Sequence, residues 1–249
     1  MDKPFHEIDP DGDIILVLRH PNASFADWDE TREDVSEPLP NHSNISSIAG
    51  SAPPQPVAGP APEDGPPAPV DDGPEADDAD HTDPSEIQFR LSSKHLVSAS
   101  PFFKKALRGP WKEGHSVTSD GYRYIDAEEW DPDALLIVMQ IIHGRNWSVP
   151  RSVSLEILAK IAVLVDYYNC HEAVHIFSEI WIKTLEGQVP AECSRELILW
   201  LGISRVFSSA EIFTVMTRTA IRQSQRPLPT LGLPAMESII GERNRWIGS

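Results

Sequence analysis

Apolar residues fall into two regimes along this chain, separated by a long polar stretch. Residues 12–19, GDIILVLR, carry an unbroken apolar run from Ile14 to Leu18 that follows Gly12 and stops at His20-Pro21-Asn22. A short continuous run bounded by turn residues reads as a buried strand. From residue 86 the pattern resumes. Ile87, Phe89 and Leu91 alternate with polar residues, the period of a strand. After Ser93 the spacing becomes helical through Leu96, Phe103 and Leu107, with Ser100-Pro101 as a start signal and Gly109-Pro110 as a stop, so two short helices are expected. Residues 122–126, YRYID, read as a further strand.

The rest of the pattern is helical. Asp131 caps a helix over 132–143, with Leu135, Val138, Met139 and Ile142 on one face and Gly144 closing it. Leu155, Leu158, Ala162 and Val165 define a helix over 152–168 that Asn169 interrupts. A third runs over 171–185 and stops at Gly187. Two more patterns cover 191–204 and 208–223, and a short last helix is expected near 234–240. There is no internal repeat.

Composition changes the picture for the stretch between the regimes. Pro38 to Pro84 contains 12 prolines in 47 residues, interleaved with acidic blocks such as DDGPEADDAD. Such a segment cannot bury enough apolar surface to offset the entropy of ordering, so 25–85 reads as a disordered acidic, proline-rich insertion. The domain reading is therefore 1–24 as an N-terminal segment with the first strand, 25–85 as the insertion, 86–187 as the core, and 188–249 as a helical extension.

Charge follows the same division. Residues 1–86 hold 21 acidic against three basic residues, leaving 17 acidic and 18 basic for the remainder. A dense anionic segment repels phosphate, so nucleic acid is not an expected partner. Cys170 and Cys193 are too few for a disulfide framework, which points to a reducing compartment. The beginning MDKPFHEIDPDGD does not read as a signal peptide, and no apolar run approaches a membrane span. A cytoplasmic or nuclear location and no membrane partner are the expectations. The four Asn-x-Ser sequons (Asn22, Asn41, Asn44, Asn146) have no meaning without secretion.

The order of elements and their wording resemble the BTB/POZ domain. GDIILVLR is similar to that family's first strand, with Asp13 at its acidic position; in FRLSSKHLVSASPFF, Phe89, Lys94, Ser100 and Phe103 align with its F-x-x-H-K-x-x-L-x-x-x-S-x-x-F signature. YRYIDAEEWDPDALLIVMQIIHGR resembles the segment that the family ends in Tyr-Thr-Gly, and LAKIAVLVDYYNCHEAV its L-x-x-A-x-x-Y segment. The likeness is greatest to divergent BTB proteins of filamentous fungi and covers about 12–19 and 86–186. Ser93 stands in place of the family's His, and IIHGR in place of Tyr-Thr-Gly.

The resemblance implies an α+β fold: a small three-stranded sheet capped by five to six helices, with additional C-terminal helices. It implies a non-enzymatic protein–protein interaction module, a scaffold or adaptor, with no cofactor. The partner would be another BTB protein or, in the adaptor reading, a cullin of a ubiquitin ligase. Trp111-Lys112-Glu113 stands where the family's hydrophobic-x-Glu triplet contacts a cullin, making Trp111 and Glu113 the candidate partner-binding residues. The 11 residues before Gly12 leave no room for the family's N-terminal dimerisation helix, so homodimerisation is left open.

One stretch spells different chemistry. His171-Glu172-Ala173-Val174-His175 is the H-E-x-x-H pattern of zinc proteases. On a helix His171 and His175 would share a face as ligands, and Glu172 would act as base on a bound water. The H-x-x-G-x-x-H extension is absent, and Glu192 and Glu196 follow only after Gly187 and Pro190. A structural helix explains more residues: Ala173, Ile176, Phe177, Ile180 and Leu185 would form an inward stripe flanked by partly solvated histidines. That is the reading adopted, with no catalytic residue assigned and zinc kept as the alternative. Of the seven tryptophans, most are expected in the core and one or two as exposed partner anchors.

Overall fold

The computed structural model describes residues 4–21, 86–108, 118–224, 228, 231 and 233. Within them the chain is α+β. Four strands, β1 (Phe5–Glu7), β2 (Ile14–Arg19), β3 (Ile87–Leu91) and β4 (Arg123–Glu128), form one mixed sheet in the order β1-β3-β2-β4. Seven α-helices follow or intervene: α1 (Ser93–Ala99), α2 (Pro101–Arg108), α3 (Pro132–Ile142), α4 (Leu155–Tyr168), α5 (His171–Leu185), α6 (Arg195–Val206) and α7 (Ala210–Gln223). The insertion expected over 25–85 and the last helix near 234–240 lie outside the described residues.

β2 and β3 are antiparallel neighbours, with Ile14 opposite Leu91 and Leu18 opposite Ile87. Residues on either side of the long spacer thus form the centre of one sheet. A connection of that length is tolerable because the entropy of closing a loop grows only with the logarithm of its length. β2 is buried along Ile14 to Leu18, as a central strand requires. Ile14, Leu16 and Leu18 join the main core with Phe89 and Leu91, while Ile15 and Val17 occupy the opposite face.

The sheet has four strands rather than three. β1 is three residues of alternating exposure, parallel to β3. Its partner, not its composition, makes it a strand. The turn that follows needs Gly12, because a Cβ there would stand 2.5 Å from the Leu91 carbonyl oxygen.

Helix ends follow local chemistry. Asp131 Oδ1 accepts from Ala134 N at 2.9 Å, and Ser154 Oγ from Ile157 N at 3.2 Å. Asn169 ends α4 in the left-handed region at φ 51°, and Gly144 closes the turn after α3 at φ 68°. α4 begins at Leu155 rather than 152, and α6 at Arg195 rather than 191. α6 packs on both α4 and α7, and a bidentate pair, Arg195 to Glu156 at 2.8 and 3.2 Å, fastens its start to α4. Leu233 packs against Gly202 of α6.

Candidate interaction groove

The inward face of α5 is not the expected stripe. Val174, Phe177, Ser178, Trp181 and Leu185 are buried, while Ile176 is 68% exposed. The Trp181 indole N–H donates to Pro150 O at 2.9 Å, and that large buried ring sets the rotation of the helix. The histidines are part-solvated and point to different acids: His171 Nε2 lies 3.9 Å from Asp166 and His175 Nε2 lies 3.5 Å from Glu179. Among the described residues no three His, Cys, Asp or Glu side chains converge as a metal site. Cys170 is buried, and burial pushes its thiol up to about 12, far from a thiolate nucleophile at neutral pH.

Asp13 serves as a structural joint. Its carboxylate accepts from Ser93 N at 2.8 Å and from Arg123 Nη2 at 2.7 Å, joining the starts of β2, α1 and β4. Burial acts to raise its pKa, but the bonds from Ser93 and Arg123 outweigh it and hold the carboxyl below the usual range. Lys94 is exposed on α1. Trp111 and Glu113 lie outside the described residues. Of the tryptophans, Trp181 and Trp200 fill the core, and Trp147 is 96% exposed.

A residue that sequence reasoning treated only as a departure has a defined task. His143, in IIHGR, is buried after α3 with both ring nitrogens engaged: Nε2 accepts from Ser92 N at 2.9 Å, and Nδ1 meets Met139 O at 2.8 Å. A backbone N–H can only donate, so the ring proton sits on Nδ1 and the ring is neutral. It bonds the N–H of the α1 cap residue to the end of α3.

The concave feature with most chemistry is aromatic. Ser100 caps α2 by accepting from Phe103 N at 3.1 Å, and its hydroxyl donates to Tyr168 O at 2.5 Å, which ties the start of α2 to the end of α4. The rings brought together are Phe102, Phe103, Trp130, Tyr167 and Tyr168. Phe103 stacks on Tyr168 with centroids 4.8 Å apart, and Tyr167 meets Phe102 and Trp130 at 5.1 Å each. Burial pushes the Tyr168 phenol well above its ordinary range, whereas Tyr167 is 53% exposed.

Phe102, Trp130, Tyr167 and Tyr168 form one side of a cleft of about 510 Å³, within the roughly 300–1,000 Å³ typical of ligand pockets. Phe102 and Ala106 of α2 face it, as do Ile125 to Glu128 of β4. β4 is an edge strand among the described residues, because it lies outermost in the sheet order. The charged side chains that line the cleft are acidic, Asp126 and Glu128 of β4. The groove was written in the sequence as two aromatic doublets, Phe102-Phe103 and Tyr167-Tyr168, far apart in the chain. Nothing local says that they meet.

No helix among the described residues is long and apolar enough to cross a membrane. The chain matches no family model and no curated protein.

Proposed function

We propose that this chain is a non-enzymatic protein–protein interaction module of the BTB/POZ-like kind, a scaffold or adaptor, and that the groove between α2, β4 and the end of α4 is its contact surface. The carrying observation is the combination in that groove of an edge strand with a half-exposed aromatic wall. An edge strand offers main-chain donors and acceptors to an extended peptide, and aromatic side chains supply anchoring area at small entropic cost. The strand–strand–helix–helix–strand–helix order, with β2 and β3 paired across the spacer, supports the BTB/POZ-like reading.

The test is proximity labelling by the full chain in its native cell, wild type against Ala106→Glu, which places a charge on the groove wall. Proteins that bind through the groove lose labelling at least tenfold, and purified candidates then lose direct binding in the same proportion. Equal labelling by both chains would remove the groove from the reading.

The adaptor reading is the second proposal. Trp111 and Glu113 lie on the connection between α2 and β4, the two elements that frame the groove. It requires that Glu113→Ala weaken co-purification of a cullin; an unchanged pull-down counts against that contact.

A further inference from the structure

β4 has a definite pattern of main-chain and side-chain directions. Arg123 N donates to Asp13 O at 3.1 Å and Glu129 N to Arg19 O at 3.0 Å, with the parallel register to β2 unbroken between them. In such a ladder every second residue turns its N–H and C=O toward the neighbouring strand. The odd-numbered residues of β4 are therefore spent on β2, and the main-chain groups of Tyr124, Asp126 and Glu128 point to the free edge. Side chains alternate across the sheet instead. Ile125 and Ala127 stand opposite Leu16 and Leu18, on the face that packs on the helices, and are half-buried and buried. Asp126 and Glu128 are exposed on the other face.

The cleft thus has one apolar side and one acidic side, both on a strand with an open edge among the described residues. Asp126 meets Arg19 at 3.2 Å, but Glu128 meets no cation among the described residues. A strand added to β4 would pleat in step with it. Its residues paired with Ile125 and Ala127 would point toward Phe102, Trp130 and Tyr167, and the residues between would lie beside the two carboxylates.

We infer that the groove takes an extended, basic segment of a partner protein, added as a strand to the edge of β4, with apolar residues alternating with Lys or Arg. The apolar set packs on the aromatic wall and the basic set pairs with Asp126 and Glu128. The inference rests on the groove being an interaction surface and names the chemistry of its occupant. Main-chain bonds to an edge hold an extended peptide of any sequence, and the alternating side chains select it. Charge complementarity makes that selection basic. The acidic, proline-rich insertion is no such occupant, since residues 33–85 contain no Lys or Arg.

The experiment measures fluorescence anisotropy with the full chain and fluorescein-labelled peptides matched to the six residues of β4. One alternates Lys with Val. A second holds the same residues in two blocks, and two more alternate Glu or Thr with Val. The Lys/Val alternating peptide should bind about tenfold tighter than the block peptide or the Glu peptide. Glu128→Lys should weaken it about fivefold and strengthen the Glu peptide. Ala106→Trp, which fills the cleft without adding charge, should abolish binding, with circular dichroism melts showing both variants folded. Equal binding of the alternating and block peptides would mean only attraction to a chain of net charge −17, and overturns strand addition. Unchanged affinity in Glu128→Lys overturns the charge assignment. Tightest binding by the Glu or Thr peptide, lost in Ala106→Trp, overturns the basic occupant and leaves the groove as an interaction surface. If no peptide binds in a way that Ala106→Trp abolishes, the inference is overturned, and the labelling comparison with Ala106→Glu decides the groove separately.

Discussion

Arg19 and Glu86 stand on either side of the spacer, and their side chains meet, Nε to Oε1, at 3.1 Å. The same guanidinium reaches Asp126 at 3.2 Å. One cation thus fastens the point where the chain leaves the sheet, the point where it returns, and the neighbouring edge strand. Arg19 is nearly half exposed while the Glu86 side chain is mostly buried, so the pair is worth more than an isolated surface ion pair and less than a buried one. Arg19→Ala should cost about 1 kcal/mol in urea unfolding. A midpoint indistinguishable from wild type would mean that the strand pairing alone holds the two ends.

His143 makes stability depend on pH in a definite direction. Burial lowers its pKa below the ordinary 6.5 by penalising the charged ring, and the neutral ring is the form that accepts from Ser92 N–H. His95 lies edge-on with its ring 5.1 Å away, and Asp9 stands beside His95 at 3.7 Å. A histidine with a depressed folded pKa takes up its proton on unfolding, so its contribution is complete above about pH 6.5 and is lost as pH falls from there toward the folded value. His143→Gln should therefore cost about 1–2 kcal/mol at pH 7.5 and progressively less toward pH 5.5. Melts of both proteins across that range measure the difference. A gap that widens on acidification would reverse the assigned protonation state.

The rotation of α5 can be checked by a pair of substitutions. Ile176→Lys should change stability by less than about 0.5 kcal/mol, because the side chain is in solvent. Trp181→Ala should cost about 3–5 kcal/mol through the cavity left in the core and the lost bond to Pro150. Comparable losses from both would restore the stripe that periodicity suggested.

The H-E-x-x-H stretch yields a metal prediction. With His171 and His175 facing separate carboxylates, protein purified without chelator should hold well under one zinc per chain by elemental analysis. His171→Ala should leave the melting temperature within about 2 °C of wild type. A stoichiometric zinc that disappears in His171→Ala would make this a metal protein.

Local chemistry determined the elements that local chemistry controls. The alternation of Ile87, Phe89 and Leu91, the apolar run of β2, the caps at Ser100, Asp131 and Asn169 and the closing Gly144 each depend on residues a few positions apart, and each appears where its pattern stands. The helix starts at Leu155 and Arg195 were shifted by three or four residues, since apolar spacing continues past a backbone that has not yet turned helical.

What needed a partner distant in the chain was decided by tertiary structure. Phe5-His6-Glu7 has no strand signature and becomes β1 only because β3 offers it an edge. Helical periodicity on α5 admits two faces one residue apart, and the space available for Trp181 chooses between them. The groove is the same case: Phe102 and Tyr167 become neighbours through the Ser100–Tyr168 bond and the packing of α2 on α4. Periodicity reports which side of an element is apolar, but the bulk of the side chains already packed there decides which residues meet, and that depends on the whole fold at once.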